Sequence, residues 1–120
     1  MRISKKVLIA EDELLIAKVM RLQFEKLGFQ VENVPDAEEA FIRTKTMQPD
    51  VIILDVYLKN NSMGTDAGRR IREAGINTPI IFTTGNAYDT TRELVKEISG
   101  SMVLTKPVAF EQLLFLIDQF

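Results

Sequence analysis

Val51-Ile52-Ile53-Leu54-Asp55 is the stretch whose reading decides the fold. Four apolar residues run unbroken into a carboxylate, and Pro49-Asp50 sets the run off from what precedes it. A Val/Ile/Leu run this short reads as a strand buried on both faces, the kind found in parallel sheets with helices on either side. A charge closing such a strand belongs just past its carboxyl end, where open parallel sheets bind ligands. Asp also starts turns through its own local hydrogen bonds. The segment alone leaves both readings open, and the rest of the chain decides between them.

Upstream, Val7-Leu8-Ile9-Ala10 repeats the pattern and also ends in acid, Glu11-Asp12-Glu13. From there to Leu27 the periodicity is helical, with Leu15, Val19 and Leu22 at i, i+4 and i+7, and Gly28 ends the helix. Gln30 to Val34 is a third strand, polar enough at Glu32 and Asn33 to lie at a sheet edge. Asp36-Ala37-Glu38-Glu39 is a capping box for a helix reaching about Met47. Downstream of Asp55 a polar loop, Lys59 to Gly64, leads to a helix from about Thr65 to Ala74 that Gly75 closes. Ile80-Ile81-Phe82-Thr83 is a strand ending at Thr84-Gly85, and a fourth helix runs from about Tyr88 to Ile98. Ser101 to Leu104 is the fifth strand, ending at Thr105-Lys106-Pro107. The last helix starts near Ala109 with Phe110, Leu113, Leu114 and Ile117 on one face and Phe115 opposite, where it is a partner or dimer contact or ordinary surface. Strict alternation of strands and helices implies an α/β fold with one parallel sheet. Right-handed crossovers and a polar edge strand favour five strands in the order 2-1-3-4-5, flanked by five helices, in one domain spanning residues 1–120.

Composition narrows the chemistry. The chain has 120 residues, 46% hydrophobic and 27% charged, with a net charge of −2, which gives no reason to expect direct nucleic-acid binding. No apolar run approaches the roughly 20 residues of a membrane span, and the run behind the basic N-terminus is too short for a secretory signal, so a cytoplasmic location is expected. The sequence contains no Cys and no His. Disulfides, thiolate chemistry and imidazole bases are therefore excluded, and any metal must be held by oxygen, which favours a hard cation such as Mg²⁺.

The polar strand ends belong together. Strands 1 and 3 are neighbours at the switch point, so Glu11, Asp12 and Asp55 share one crevice, bordered by the Thr84 hydroxyl and the Lys106 ammonium. Three carboxylates at close quarters repel unless a cation sits among them. Such a site suits phosphoryl transfer to a carboxylate. Asp55 would be the nucleophile, and Glu11, Asp12, Asp55 and the Tyr57 backbone carbonyl the Mg²⁺ ligands, with Thr84 and Lys106 meeting phosphoryl oxygens. Each signal has a structural rival: the acidic triplet also favours a helix N-terminus, and Thr84 and Lys106-Pro107 also suit turns.

Over nearly its whole length the chain resembles the receiver domain of two-component response regulators. The matching residues are Val7 to Glu13, Ile52-Ile53-Leu54-Asp55, Ile80 to Gly85, Lys106-Pro107, Gly64 and the helix carrying Arg69-Arg70-Ile71-Arg72. The 29 residues from Asp55 to Thr84 and the 22 from Thr84 to Lys106 are spacings familiar in that family. The resemblance implies that Asp55 is the phosphoacceptor, Glu11 and Asp12 are metal-binding acids, Thr84 is the switch hydroxyl, and Lys106 is the family lysine. It implies a phosphoryl donor that is a histidine kinase or a histidine phosphotransfer protein. It also implies a switching surface made of the fourth helix, fifth strand and last helix, which could also be a homodimer face. Such a domain catalyses only its own phosphorylation and dephosphorylation and is not otherwise an enzyme. Three residues depart from the pattern: Val103 stands where an aromatic residue is common, Lys59 where Pro is common, and Ala109 offers no helix cap. The alternative reading is a degenerate receiver acting as a phosphorylation-independent interaction module. A flavodoxin-like cofactor domain or a phosphatase fits less well, since no glycine-rich phosphate loop is present.

Overall fold

The computed structural model describes residues 5–85, 93 and 95–120. Five parallel strands, β1 (Lys6–Ala10), β2 (Gln30–Val34), β3 (Val51–Asp55), β4 (Ile80–Thr84) and β5 (Ser101–Thr105), form one sheet in the order β2-β1-β3-β4-β5. The order matches the expectation, with the polar strand at one edge. Among the described residues there are four helices: α1 (Leu14–Lys26), α2 (Ala37–Met47), α3 (Gly64–Glu73) and α4 (Phe110–Asp118). Five were expected, but most of the helix expected over 88–98 lies outside the described residues, with only Val95 and Ile98 seen buried at its end.

Strand side chains alternate between the two faces. Leu8, Ile52, Leu54, Ile80 and Phe82 pack with Ala40, Met47, Ala67 and Ile71 from α2 and α3. Val7, Ile9, Val51, Ile53 and Ile81 pack on the other face with Phe24, Leu113 and Ile117 from α1 and α4. β3 is buried along its whole length, as its unbroken apolar run requires. Two glycines end helices as expected: Gly28 and Gly75 have φ of 91° and 81°, a region open to glycine at little cost. Asp36 caps α2, its carboxylate accepting the Glu39 N–H at 2.8 Å.

α1 differs from the simplest reading of its pattern. Leu15, Val19 and Leu22 form the expected helical stripe, but they face outward, and Ala17, Met20 and Phe24 turn toward the sheet. The helix carries two apolar stripes, and the aromatic one is the one the core takes up. At the other edge of the sheet, β5 is only half-buried.

Candidate functional site

The register of the sheet builds the site. Ala10 pairs with Leu54 and Asp55 pairs with Thr83, so the carboxyl ends of β1, β3 and β4 lie side by side. Glu11 continues past β1, its N–H donating to Val34 O at 3.1 Å. Asp55 is the last residue of β3 rather than the first beyond it. Thr84 ends β4 fully buried, and its carbonyl accepts the Lys106 N–H at 2.7 Å, which fixes the backbone that carries the lysine.

These side chains converge. One carboxylate oxygen from each of Glu11, Asp12 and Asp55 lies within 4.8 Å of the others. The Lys106 ammonium donates to Asp55 Oδ2 at 2.6 Å and to Glu11 Oε1 at 3.2 Å. The remaining oxygens of the two acids accept backbone N–H groups: Tyr57 to Asp55 Oδ1 and Glu13 to Glu11 Oε2, both at 3.3 Å. Glu11 is only 2% exposed and Asp55 6%, and burying such polar groups is costly unless they are hydrogen-bonded as here. Burial, then the nearby charge of Asp55, raises the Glu11 carboxyl above its ordinary 4.5, against the pull of the Glu13 amide and Lys106. Burial also works against the Lys106 ammonium, but the hydrogen bond and charge of Asp55, with Glu11 behind them, outweigh it and hold the lysine above its ordinary 10.5.

Three carboxylates facing one ammonium leave an excess of negative charge in a pocket of oxygen donors. That donor set fits a hard divalent cation such as Mg²⁺ and suits no thiophilic metal. Of the five expected side chains, those of Glu11, Asp12, Asp55 and Lys106 meet at this mouth, and Thr84 ends the neighbouring strand β4. Tyr57 lies beside it through its backbone N–H.

Two residues gained importance only in three dimensions. A Cβ on Gly64 would lie 2.3 Å from the Asp55 carbonyl oxygen, so α3 starts against the backbone of Asp55 with no room for a side chain. The Gly64 N–H donates to Val56 O at 2.8 Å, which pins that approach. Thr83 lines a groove of about 440 Å³ that runs from Glu11 and Lys106 toward Ile16, Met20, Pro107 and Val108. The family resemblance marks Gly64 without its reason, and nothing in the sequence pattern marks Thr83, because each role depends on which elements lie side by side.

The loop after Asp55 is ordered by hydrogen bonds. Asn60 and Asn61 have φ of 62° and 56°, and the Ser62 N–H donates to Lys59 O at 3.1 Å, a tight reversal that asparagine tolerates. Tyr57 pairs antiparallel with Met63 across it. The Ser62 hydroxyl accepts the Ala37 N–H at 3.2 Å, tying the loop to the first turn of α2.

Comparisons with known proteins agree with this geometry. A family model described as the response regulator receiver domain matches residues 7–118. The chain is 30% identical over 104 residues to the alkaline phosphatase synthesis transcriptional regulatory protein PhoP of Bacillus subtilis, covering 87% of this chain and 43% of that protein. It is 34% identical over 119 residues to the probable C4-dicarboxylate response regulator DctR of Halalkalibacterium halodurans, covering 96% and 50%. The chain thus spans about half the length of the curated relatives it matches. Among solved structures, a Francisella response regulator receiver domain superposes with a TM-score of 0.86 at 28% identity, covering 97% of this chain and 95% of that one. The receiver domain of a Pseudomonas aeruginosa sensor histidine kinase, solved with a magnesium ion coordinated in its active site cleft, gives 0.84 at 28% identity, covering 98% and 97%.

Proposed function

The chain belongs to the response regulator receiver domain family, and from that premise we propose that it takes a phosphoryl group on Asp55 and uses it as a reversible signal. The donor is a phosphohistidine on a histidine kinase or a histidine phosphotransfer protein, which suits a chain that has no histidine of its own. The observation that carries this reading is the Lys106 ammonium bridging Asp55 and Glu11, with Asp12 beside them.

One Asp55 carboxylate oxygen attacks phosphorus, the phosphorus–nitrogen bond of the donor breaks, and its electron pair leaves with the imidazole nitrogen. The product is an acyl phosphate. Glu11, Asp12, Asp55 and the Tyr57 carbonyl would hold a Mg²⁺ ion, which would supply charge neutralisation for phosphoryl oxygens when bound. Lys106 exchanges its bond to the Asp55 oxygen for one to the phosphoryl group. Its ammonium is held above its ordinary pKa, so it carries its charge at neutral pH. Thr84 offers its hydroxyl from the end of β4. Movement of Thr84 and Lys106 toward the new group shifts the surface of β5 and α4 between two states.

Incubation with Mg²⁺ and a small acyl phosphate, read by intact mass, tests the proposal: one phosphoryl adduct on wild type and none on Asp55→Asn. An unlabelled wild type, under conditions that label another receiver, refutes it. Val103 motivates a second reading. It packs against the inner core where the family often places an aromatic switch, so the chain could bind a partner without phosphorylation. Equal partner affinity for wild type and Asp55→Asn, with and without donor, would favour that reading.

A further inference from the structure

The groove beside the acidic mouth contains a polar group that the phosphoacceptor chemistry does not use. Thr83 is fixed in the sheet between Asp55 of β3 and Leu104 of β5, and its carbonyl accepts the Val56 N–H at 2.9 Å. It is only 3% exposed, and among the described residues its hydroxyl has no hydrogen-bond partner. A buried hydroxyl in that state is costly, which calls for a partner from the groove it lines. The two charged groups at the same end are already engaged. Lys106 donates to Asp55 and Glu11, and Glu11 also accepts the Glu13 N–H. The rest of the lining is apolar: Ile16 and Met20 from α1, and Pro107 and Val108 from the turn after β5. Met20 and Val108 also pack on the core, so the walls are anchored. A volume of about 440 Å³ lies within the usual range of small-molecule sites, and an apolar lining with a few polar groups is their usual make-up.

We propose that this groove binds a small uncharged alcohol, its apolar body between Met20 and Val108 and its hydroxyl on Thr83. A hydroxyl both donates and accepts, as Thr83 does, so the bond can form in either direction. Charge selects against an anionic head, because Glu11, Asp12 and Asp55 outnumber the one ammonium beside them. A cationic head fares no better. It would lie beside the Lys106 ammonium, which already holds the two acids such a head would seek. Binding does not require phosphorylation of Asp55, so its failure and the failure of the proposed function are separate outcomes.

Amide NMR titration of the isotope-labelled protein in chelator tests it, with benzyl alcohol, toluene, benzoate and benzylamine as probes. Benzyl alcohol should shift the amides around Ile16, Met20, Thr83 and Val108, with a dissociation constant on the order of 1 mM, as for a fragment-sized ligand. Toluene should bind about 3- to 10-fold more weakly, the worth of one neutral hydrogen bond. Benzoate and benzylamine should bind more weakly than the alcohol. Thr83→Val removes the hydroxyl, so benzyl alcohol should then bind no tighter than toluene, while Thr83→Ser should keep the preference. Val108→Trp, which fills the groove, should abolish binding of every probe, and far-UV circular dichroism checks that the variants fold. A wild type whose amides do not move at about 10 mM benzyl alcohol overturns the proposal. So does a Thr83→Val variant that keeps the preference for the alcohol, or a charged probe that binds as tightly. Equal binding of benzyl alcohol and toluene, in wild type and variant alike, assigns the groove to the apolar side chains of a protein partner and overturns the alcohol site.

Discussion

Gly64→Ala sets two simple expectations against each other. Helix propensity predicts stabilisation, since alanine exceeds glycine by about 1 kcal/mol inside a helix, and Gly64 is the first residue of α3 with φ outside the left-handed region. Packing predicts the reverse. The new methyl carbon would lie 2.3 Å from the Asp55 carbonyl oxygen and 3.5 Å from the Leu54 Cβ. A carbon–oxygen contact needs about 3.3 Å, so backbone must move by about 1 Å. Both sides of the contact are backbone, and the Gly64 N–H to Val56 O hydrogen bond resists their separation. Overpacking of this kind costs about 1–3 kcal/mol, which outweighs the propensity gain at most of its range. A net loss of up to about 2 kcal/mol corresponds to a fall in melting temperature of up to roughly 10 °C for a domain of this size. The displaced group carries Asp55, and a shift of about 1 Å at a reacting atom costs about 10²-fold in rate. Urea unfolding and the initial rate of acyl phosphate labelling should therefore both fall in Gly64→Ala. A variant as stable as wild type that labels at the wild-type rate would refute the claim that α3 is seated on the Asp55 backbone.

Further expectations follow from the same contacts. Lys106 has a raised pKa, so its contribution to stability is complete below pH 10.5 and is lost as pH rises through its higher folded value; thermal unfolding in alkaline buffers should show that slope in wild type and lose it in Lys106→Gln. Glu11 is also raised, so its favourable contribution exists below about pH 4.5 and disappears as pH climbs through its folded value. Glu11→Gln should thus be more stable than wild type at neutral pH in chelator, and Mg²⁺ should raise the melting temperature of wild type more than that of the variant. The Arg72 guanidinium donates to the carbonyls of Ser99, Ile76 and Thr78 at 2.7, 2.9 and 2.8 Å. Arg72→Ala should cost about 2 kcal/mol in urea unfolding and Arg72→Lys somewhat less, because one ammonium cannot reproduce the planar fork. Asp36→Ala should cost about 1 kcal/mol through loss of the α2 cap, read by the same method.

The sheet order was readable because each strand announces its environment: β3 and β1 are apolar without interruption, while Glu32 and Asn33 mark β2 as an edge. The site was readable for a related reason. Glu11, Asp12, Asp55, Thr84 and Lys106 all sit at strand ends, and parallel topology gathers such ends at one mouth. The facing of α1 was not readable in the same way. Residues 15, 19 and 22 and residues 17, 20 and 24 are both helical stripes, and choosing between them requires knowing that Phe29 and Phe110 wait to pack edge-on against Phe24. Gly64 was marked only by the family resemblance and Thr83 not at all, because their roles come from contact across the fold, which a linear pattern does not encode. The N–H donors of Tyr57 and Glu13 belong to backbone and carry no residue signature at all.

The reversal at Lys59–Ser62 has a practical consequence. Its base is stitched to the antiparallel Tyr57–Met63 pair and, through the Ser62 hydroxyl, to the start of α2, while its tip is only the two asparagines. A short peptide tag or fluorophore spliced between Asn60 and Asn61 would stand on a rigid pedestal beside the acidic mouth, reporting events there while the scaffold underneath keeps its shape.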